Sequence, residues 1–156
     1  MRITCVIPAR YQSFRLPGKC LLEIAGKPMI QWVYERSLKA DCLDEVLVAT
    51  DDVRIFDAVR KFDGRVMMTS SSHQSGTERV AEVATRIESD VFINVQGDEP
   101  LISPKTIDAV CQSFLGDEEF LISTARVEIF EMSEIEASDN VKVVSDRNGK
   151  ALYFSR

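Results

Sequence analysis

The sequence predicts an α/β protein built on a mixed, mostly parallel sheet with helices on both faces. Short apolar, β-rich runs alternate with stretches of helical periodicity, the order of elements that a parallel sheet and its crossovers require. The run from Ile3 to Ile7 is apolar enough to be a strand covered on both sides. Near the end, Asp146-Arg147-Asn148-Gly149 separates two further runs, and Asn-Gly is a strong hairpin signal, so an antiparallel portion is expected there.

The predicted strands cover residues 2–7, 45–50, 65–68, 91–95, 121–126, 141–145 and 151–154, and the predicted helices cover 29–39, 53–62, 78–87 and 104–114. In the first helix Ile30, Val33 and Leu38, with Tyr34, make an apolar stripe. In the third, Val80, Val83, Ala84 and Ile87 do the same. Ser103 before Pro104 reads as an N-cap with proline at the first helical position. Gly64 stands where a helix C-terminal glycine is expected. Repeats, linkers and low-complexity stretches are absent from the sequence.

A chain of 156 residues with 45% hydrophobic and 28% charged residues fits one globular domain with a normal core. No apolar run approaches a membrane span, and Pro8, Arg10 and Arg15 interrupt any signal-peptide pattern at once. Membrane association is therefore not expected. The net charge of −6 argues against nucleic acid as a partner, since that would need a basic face. Cys5, Cys20, Cys42 and Cys111 have no C-x-x-C spacing, and His73 is the only histidine. No zinc site is expected on those grounds, and the cysteines read as reduced thiols of a cytoplasmic protein.

Against this acidic background, Arg10-Tyr11-Gln12-Ser13-Phe14-Arg15-Leu16-Pro17-Gly18-Lys19 places three cations in one loop after the first strand. The C-terminal edge of such a sheet is where open α/β proteins bind ligands. Arginine forks and a lysine point charge suit phosphate oxygens, so a polyphosphate is the expected ligand. The loop is not a P-loop: that motif needs glycine where Ser13 stands and Ser or Thr where Cys20 stands. No G-x-G-x-x-G occurs. Pro17-Gly18 can turn the chain sharply and re-aim Lys19.

Asp98, in Gln96-Gly97-Asp98-Glu99-Pro100 after the strand at 91–95, would emerge at the same edge. It reads either as a Mg²⁺ ligand beside phosphates or as ordinary turn chemistry. In His73-Gln74-Ser75-Gly76-Thr77-Glu78-Arg79 the small polar residues can read a nucleobase edge or cap the following helix. Thr50-Asp51-Asp52 is most simply an N-cap. Lys142 is either a solvent-facing strand residue or a charge over the phosphate site, and Arg156, the last residue, has no context. No nucleophile triad is identifiable; nucleotidyl transfer needs none, because positioning and charge neutralisation supply most of its catalysis.

Residues 10–19 match the R-x-x-S-x-R-x-P-x-K signature of the sugar-acid cytidylyltransferases. Together with the segments at 73–79, 94–100, 140–144 and 151–156, they resemble the CMP-Kdo synthetases (3-deoxy-manno-octulosonate cytidylyltransferases) over essentially the whole chain. The resemblance implies the Rossmann-like fold of nucleotide-diphospho-sugar transferases and the reaction CTP + Kdo → CMP-Kdo + diphosphate, a step toward lipopolysaccharide. It also implies that Arg10, Ser13, Arg15 and Lys19 grip the triphosphate. His73, Gln74, Ser75, Arg79 and Gln96 would serve the cytidine, and Asp98 would hold Mg²⁺. Arg10, Lys19 and Asp98 are then the catalytic set, with Lys142 and Arg156 as further candidates. Cys20 departs from the second proline common in the family. Members of the family are longer, so residues 1–156 are expected to be the nucleotide-binding domain, cut before the part that adds sugar contacts, a homodimer interface and a second metal carboxylate. A CTP-binding fragment without catalysis, or an enzyme for 8-amino-Kdo or a sialic-acid-like sugar, are the alternatives.

Overall fold

The structure, a computed structural model, describes residues 1–12, 16–116 and 121–156. Two compact units are present, Met1–Ser123 and Thr124–Arg156. The first contains β1 (Ile3–Ala9), a single 3-10 turn at Lys19–Leu21, β2 (Glu23–Ile24), β3 (Lys27–Pro28), α1 (Met29–Ser37), β4 (Glu45–Thr50), α2 (Val53–Lys61), β5 (Val66–Met68), α3 (Gly76–Ala84), β6 (Val91–Asn94) and α4 (Pro104–Gln112). The second contains α5 (Met132–Glu136), β7 (Lys142–Ser145) and β8 (Ala151–Ser155).

Four strands form one parallel sheet in the order β5-β4-β1-β6. β1 is central, with Cys5 opposite Val46 on one side and Ile93 on the other. Every residue of β1 and of β4 is buried, which explains their apolar composition. Alternation along these strands divides the core in two. Ile3, Cys5, Ile7 and Ala9, with Val46 and Val48, face Ile30 and Val33 of α1, Ile55 and Val59 of α2, and Ile107 and Cys111 of α4. Val6, Leu47 and Ala49 face Val80 and Val83 of α3. Helices thus cover both faces, as the sequence predicts.

Several boundaries and details differ from the sequence reading. Leu38 follows the last turn of α1 and is 56% exposed, so it lies outside the stripe. α3 begins at Gly76, earlier than expected, because Ser75 caps it: its hydroxyl accepts from the Glu78 amide at 3.2 Å, while the Glu78 carboxylate accepts from the Gln74 amide at 2.8 Å. Ala84 is consequently in the last turn and exposed. After α2 the left-handed residue is Asp63, not Gly64. Gly64 is needed for space, since a Cβ there would lie 2.6 Å from Val59 Cγ1.

Residues 121–126 are not a strand: Leu121 and Ile122 are almost fully exposed and have no pairing partner among the described residues. A β-rich composition makes a strand only where a partner and a covered face exist. The hairpin signal holds, and β7 pairs with β8 antiparallel, as a separate two-stranded sheet rather than as part of the parallel one. Asp146 organises its turn, accepting from the Asn148 and Lys150 amides at 2.9 Å each, with Gly149 at φ 87°. Cys42 and Cys111 form a disulfide across 69 residues, against the reading of four reduced thiols. Their sequence separation concealed that α4 lies beside the segment after α1. Cys5 and Cys20 are free and buried, and burial pushes their thiols up to about 12 and about 11. No helix is long and apolar enough to cross a membrane among the described residues.

Ile7 is fully buried in the central strand, so Ile7→Ala is expected to cost about 2–5 kcal/mol in urea unfolding. Leu38→Ala, at an exposed site, should stay within about 0.5 kcal/mol of the parent.

Candidate nucleotide site

Because all four strands of the main sheet are parallel, their C-terminal ends share one edge. The chain proceeds from β1 to β4 to β5 in one direction and then places β6 on the other side of β1. That reversal separates the loops after β1 and β6 and opens a crevice between them. A cleft of about 190 Å³ lies there, lined by Arg10 and Lys19 after β1, Gln96, Gly97 and Asp98 after β6, and His73, Ser75, Gly76 and Arg79 from the start of α3. Seven of the residues singled out in the sequence therefore meet in one cleft. Gln74 is not among its lining residues; its side chain donates to the Ser72 carbonyl at 3.0 Å. Ser13 and Arg15 lie outside the described residues. Lys142 and Arg156 belong to the second unit, where the Lys142 ammonium donates to the Ala137 carbonyl at 3.1 Å.

Gly18 and Gly97 make room for this convergence. Gly18 adopts φ 70°, a left-handed conformation that L side chains rarely take, and so turns the chain into the 3-10 turn that begins at Lys19. A Cβ on Gly97 would lie 2.9 Å from the Pro8 carbonyl oxygen of β1, so only glycine lets the loop after β6 cross so near that strand. Asp98 follows immediately. Its carboxylate accepts from the Lys19 ammonium at 2.5 Å, with side chains 45% and 35% exposed respectively. One cation of the loop after β1 is therefore held by the loop after β6.

The third wall is fastened from behind. Arg79 is only 3% exposed, and its guanidinium donates to the Thr69 hydroxyl, to the Ser70 carbonyl at 3.3 Å and to Asp51 at 3.1 Å. It ties α3 to the ends of β4 and β5. Glu82, one helical turn further along α3, accepts from the Ser70 amide at 2.8 Å, from the His73 ring and from Arg86. The Ser70 amide, foremost, and the His73 ring hold the Glu82 carboxyl below the usual range. Sequence reasoning missed Asp51, Thr69 and Glu82 as supports of this wall. Of these, Glu82 alone has a partner at helical spacing, Arg86 four residues on.

Arg10 makes no ion pair among the described residues, whereas Lys19 and Arg79 each have a carboxylate partner. The cleft thus combines cationic forks, an exposed carboxylate and a polar wall. Such a set can bind a polyanion that carries a planar polar group.

Comparison with known proteins agrees with this chemistry. The family described as Cytidylyltransferase matches residues 4–156. The 3-deoxy-manno-octulosonate cytidylyltransferase of Geobacter metallireducens is 54% identical over 156 residues, and that of Leptospira interrogans is 49% identical. The match covers 100% of this chain and 61% of the first, and 99% of this chain and 63% of the second. The chain therefore spans a little over three-fifths of the length of these curated relatives. Among solved structures, a CMP:2-keto-3-deoxy-manno-octonic acid synthetase complexed with CTP superposes with a TM-score of 0.91 at 44% identity, covering 99% of this chain and 64% of that one. A nucleotidyl transferase from Methanothermobacter, at 22% identity and a TM-score of 0.62, shares the fold. The match over 4–156 and the cleft at the strand reversal lead to one conclusion: the chain belongs to the cytidylyltransferase family.

Proposed function

We propose that this chain is the nucleotide-binding part of a cytidylyltransferase that activates Kdo with CTP, giving CMP-Kdo and diphosphate for lipopolysaccharide. The observation that carries the reading is the meeting of Arg10, Lys19 and Asp98 with the His73–Arg79 segment in a single cleft. The relatives named for this reaction support the choice of sugar. CTP and Kdo are the proposed small-molecule partners, a homodimer the proposed assembly, and the cytoplasm the proposed location. Titration of this chain with CTP, GTP and cytidine, and product analysis of the full-length protein with Kdo and with a sialic-acid-like sugar, test the two halves of the reading. Preference for CTP and transfer to Kdo are expected; equal binding of GTP or transfer to the other sugar alone would refute the reading.

In the reaction the anomeric hydroxyl of the sugar acid gives up its proton to water as its oxygen bonds to the α-phosphorus, and the bond from that phosphorus to the α,β-bridging oxygen breaks, releasing diphosphate. Arg10 and Lys19 hold the triphosphate and take up the charge that grows on the leaving diphosphate, with Ser13 and Arg15 assigned to the same task. Ser75 and Gln96 face the base, with His73 beside them. Arg79 keeps that wall in place through Asp51 and Thr69. Gln74 sits next to it on the outer side.

A divalent ion such as Mg²⁺ fits Asp98. The carboxylate is a hard oxygen donor, partly open to the cleft, and it already attracts a cation, Lys19. No group of three or more metal-ligating side chains occurs among the described residues, so Asp98 would hold the ion together with substrate phosphates. Bound there, the ion would neutralise phosphate charge. Asp98 would anchor it, and Lys19, released from Asp98, would turn to the phosphates.

Lys19→Ala is expected to weaken CTP binding by about 1.5–3 kcal/mol and to leave cytidine binding unchanged, as read by calorimetry. Asp98→Asn should abolish the Mg²⁺ dependence of CTP binding and tighten binding slightly without Mg²⁺, because Lys19 loses its competing partner. Undiminished Mg²⁺ dependence in that variant would make Asp98 a turn residue only. The Glu82 anchor should respond to acid. Its folded value lies below the ordinary 4.5, so its contribution is complete above 4.5 and is lost as pH falls through the lower folded value. The Ser70 amide resonance should therefore move with a midpoint below 4.5, and in Glu82→Gln it should not titrate.

A further inference from the structure

Residues that do not line the cleft support the turn before Lys19. The Gly18 amide donates to the Tyr11 carbonyl at 2.7 Å, bringing the two ends of the loop together just before Lys19. The Tyr11 ring lies against Gly18: a Cβ on that glycine would be 2.9 Å from the ring carbon Cε2. The same ring carries the Arg54 guanidinium, whose central carbon is 3.3 Å from the ring centroid. Arg54 is itself oriented by a two-pronged contact with Asp52, at 2.9 and 2.6 Å, and Asp52 is the N-cap of α2. An unbroken series of contacts therefore runs from the cap of α2 through Arg54, Tyr11 and Gly18 to Lys19. The R-x-x-S-x-R-x-P-x-K signature leaves the position of Tyr11 open, and Arg54 lies outside every segment that carried the resemblance.

We propose that Tyr11 and Arg54 are a positioning pair that holds Gly18 against the start of α2, so that Lys19 is presented to the triphosphate. The proposal rests on the reading of the cleft as a CTP site. A guanidinium over an aromatic face is attracted by the ring's quadrupole, and the fork to Asp52 fixes the direction from which it approaches. Phenylalanine supplies the same face, whereas leucine supplies volume without it. Neither residue touches the nucleotide in this scheme. Their effect reaches it through the angle of the turn at Gly18.

Calorimetric titration with CTP and with cytidine, on the parent and on Lys19→Ala, Tyr11→Leu, Tyr11→Phe, Arg54→Gln and the double variant Tyr11→Leu/Arg54→Gln, tests this. Tyr11→Leu and Arg54→Gln are each expected to weaken CTP about three- to tenfold, the scale of one lost cation–π contact, and to leave cytidine unchanged. Tyr11→Phe should bind as the parent does, and the double variant should be no weaker than the weaker single one. Arg54 has an exposed side chain, so its variant keeps the proposal open to refutation if Tyr11→Leu fails to fold. Parent-like CTP affinity in Arg54→Gln, or equal losses for CTP and cytidine, overturns the pair while Lys19→Ala still loses CTP. Parent-like CTP binding in Lys19→Ala overturns the phosphate reading and the pair with it.

Discussion

Burial of β1 on both faces is the constraint from which the rest of the first unit follows. A strand with no solvent face must have a neighbour on each side and helices above and below. β4 and β6 supply the neighbours; α1, α2 and α4 cover one face and α3 the other. Because β6 joins on the side away from β4, the loops leaving β1 and β6 part at the strand ends. The cleft is the space between them. Its location is thus a result of strand order, and its chemistry comes from what the two loops carry.

Charge in the cleft is arranged in pairs that differ in permanence. The Arg79–Asp51 pair is shielded from water and reinforced by Thr69 and Ser70, so separating it would leave buried groups without partners. The Lys19–Asp98 pair is half in solvent and has no second support among the described residues. Screening makes such a contact easy to exchange. One pair therefore belongs to the framework and the other to the open face of the cleft, although both join an Asp at a strand end to a cation from another segment.

Much of this was legible in the sequence, and the limits have physical reasons. β1, β4 and the helices α1 to α4 were visible because burial on one or two faces imposes a periodicity on the residues themselves; α5 buries no residue and carries no such periodicity. The hairpin of β7 and β8 was visible because its turn needs a residue like Gly149 at positive φ. Residues 121–126 carry the composition of a strand without its partner, and pairing is not a local property. The Cys42–Cys111 bond and the Arg79–Asp51 pair join segments far apart in the chain, so no spacing announces them. The cleft residues were read from a motif, while the side chains that fasten them, Glu82, Asp51 and Tyr11, sit where the motif is silent.

The unequal cover of the sheet has a consequence for how ligand and fold affect each other. Three helices lie over one face, but Val6, Leu47 and Ala49 are sheltered chiefly by Val80 and Val83 of a single nine-residue helix. That helix begins at the cleft, with Ser75 as its cap and Gly76 as its first residue. Fraying from this end would unseat that wall of the cleft and wet the sheet in the same event. A ligand gripping the His73–Arg79 segment would oppose that fraying, so occupancy of the cleft would be felt as added cohesion in the thinly covered half of the core.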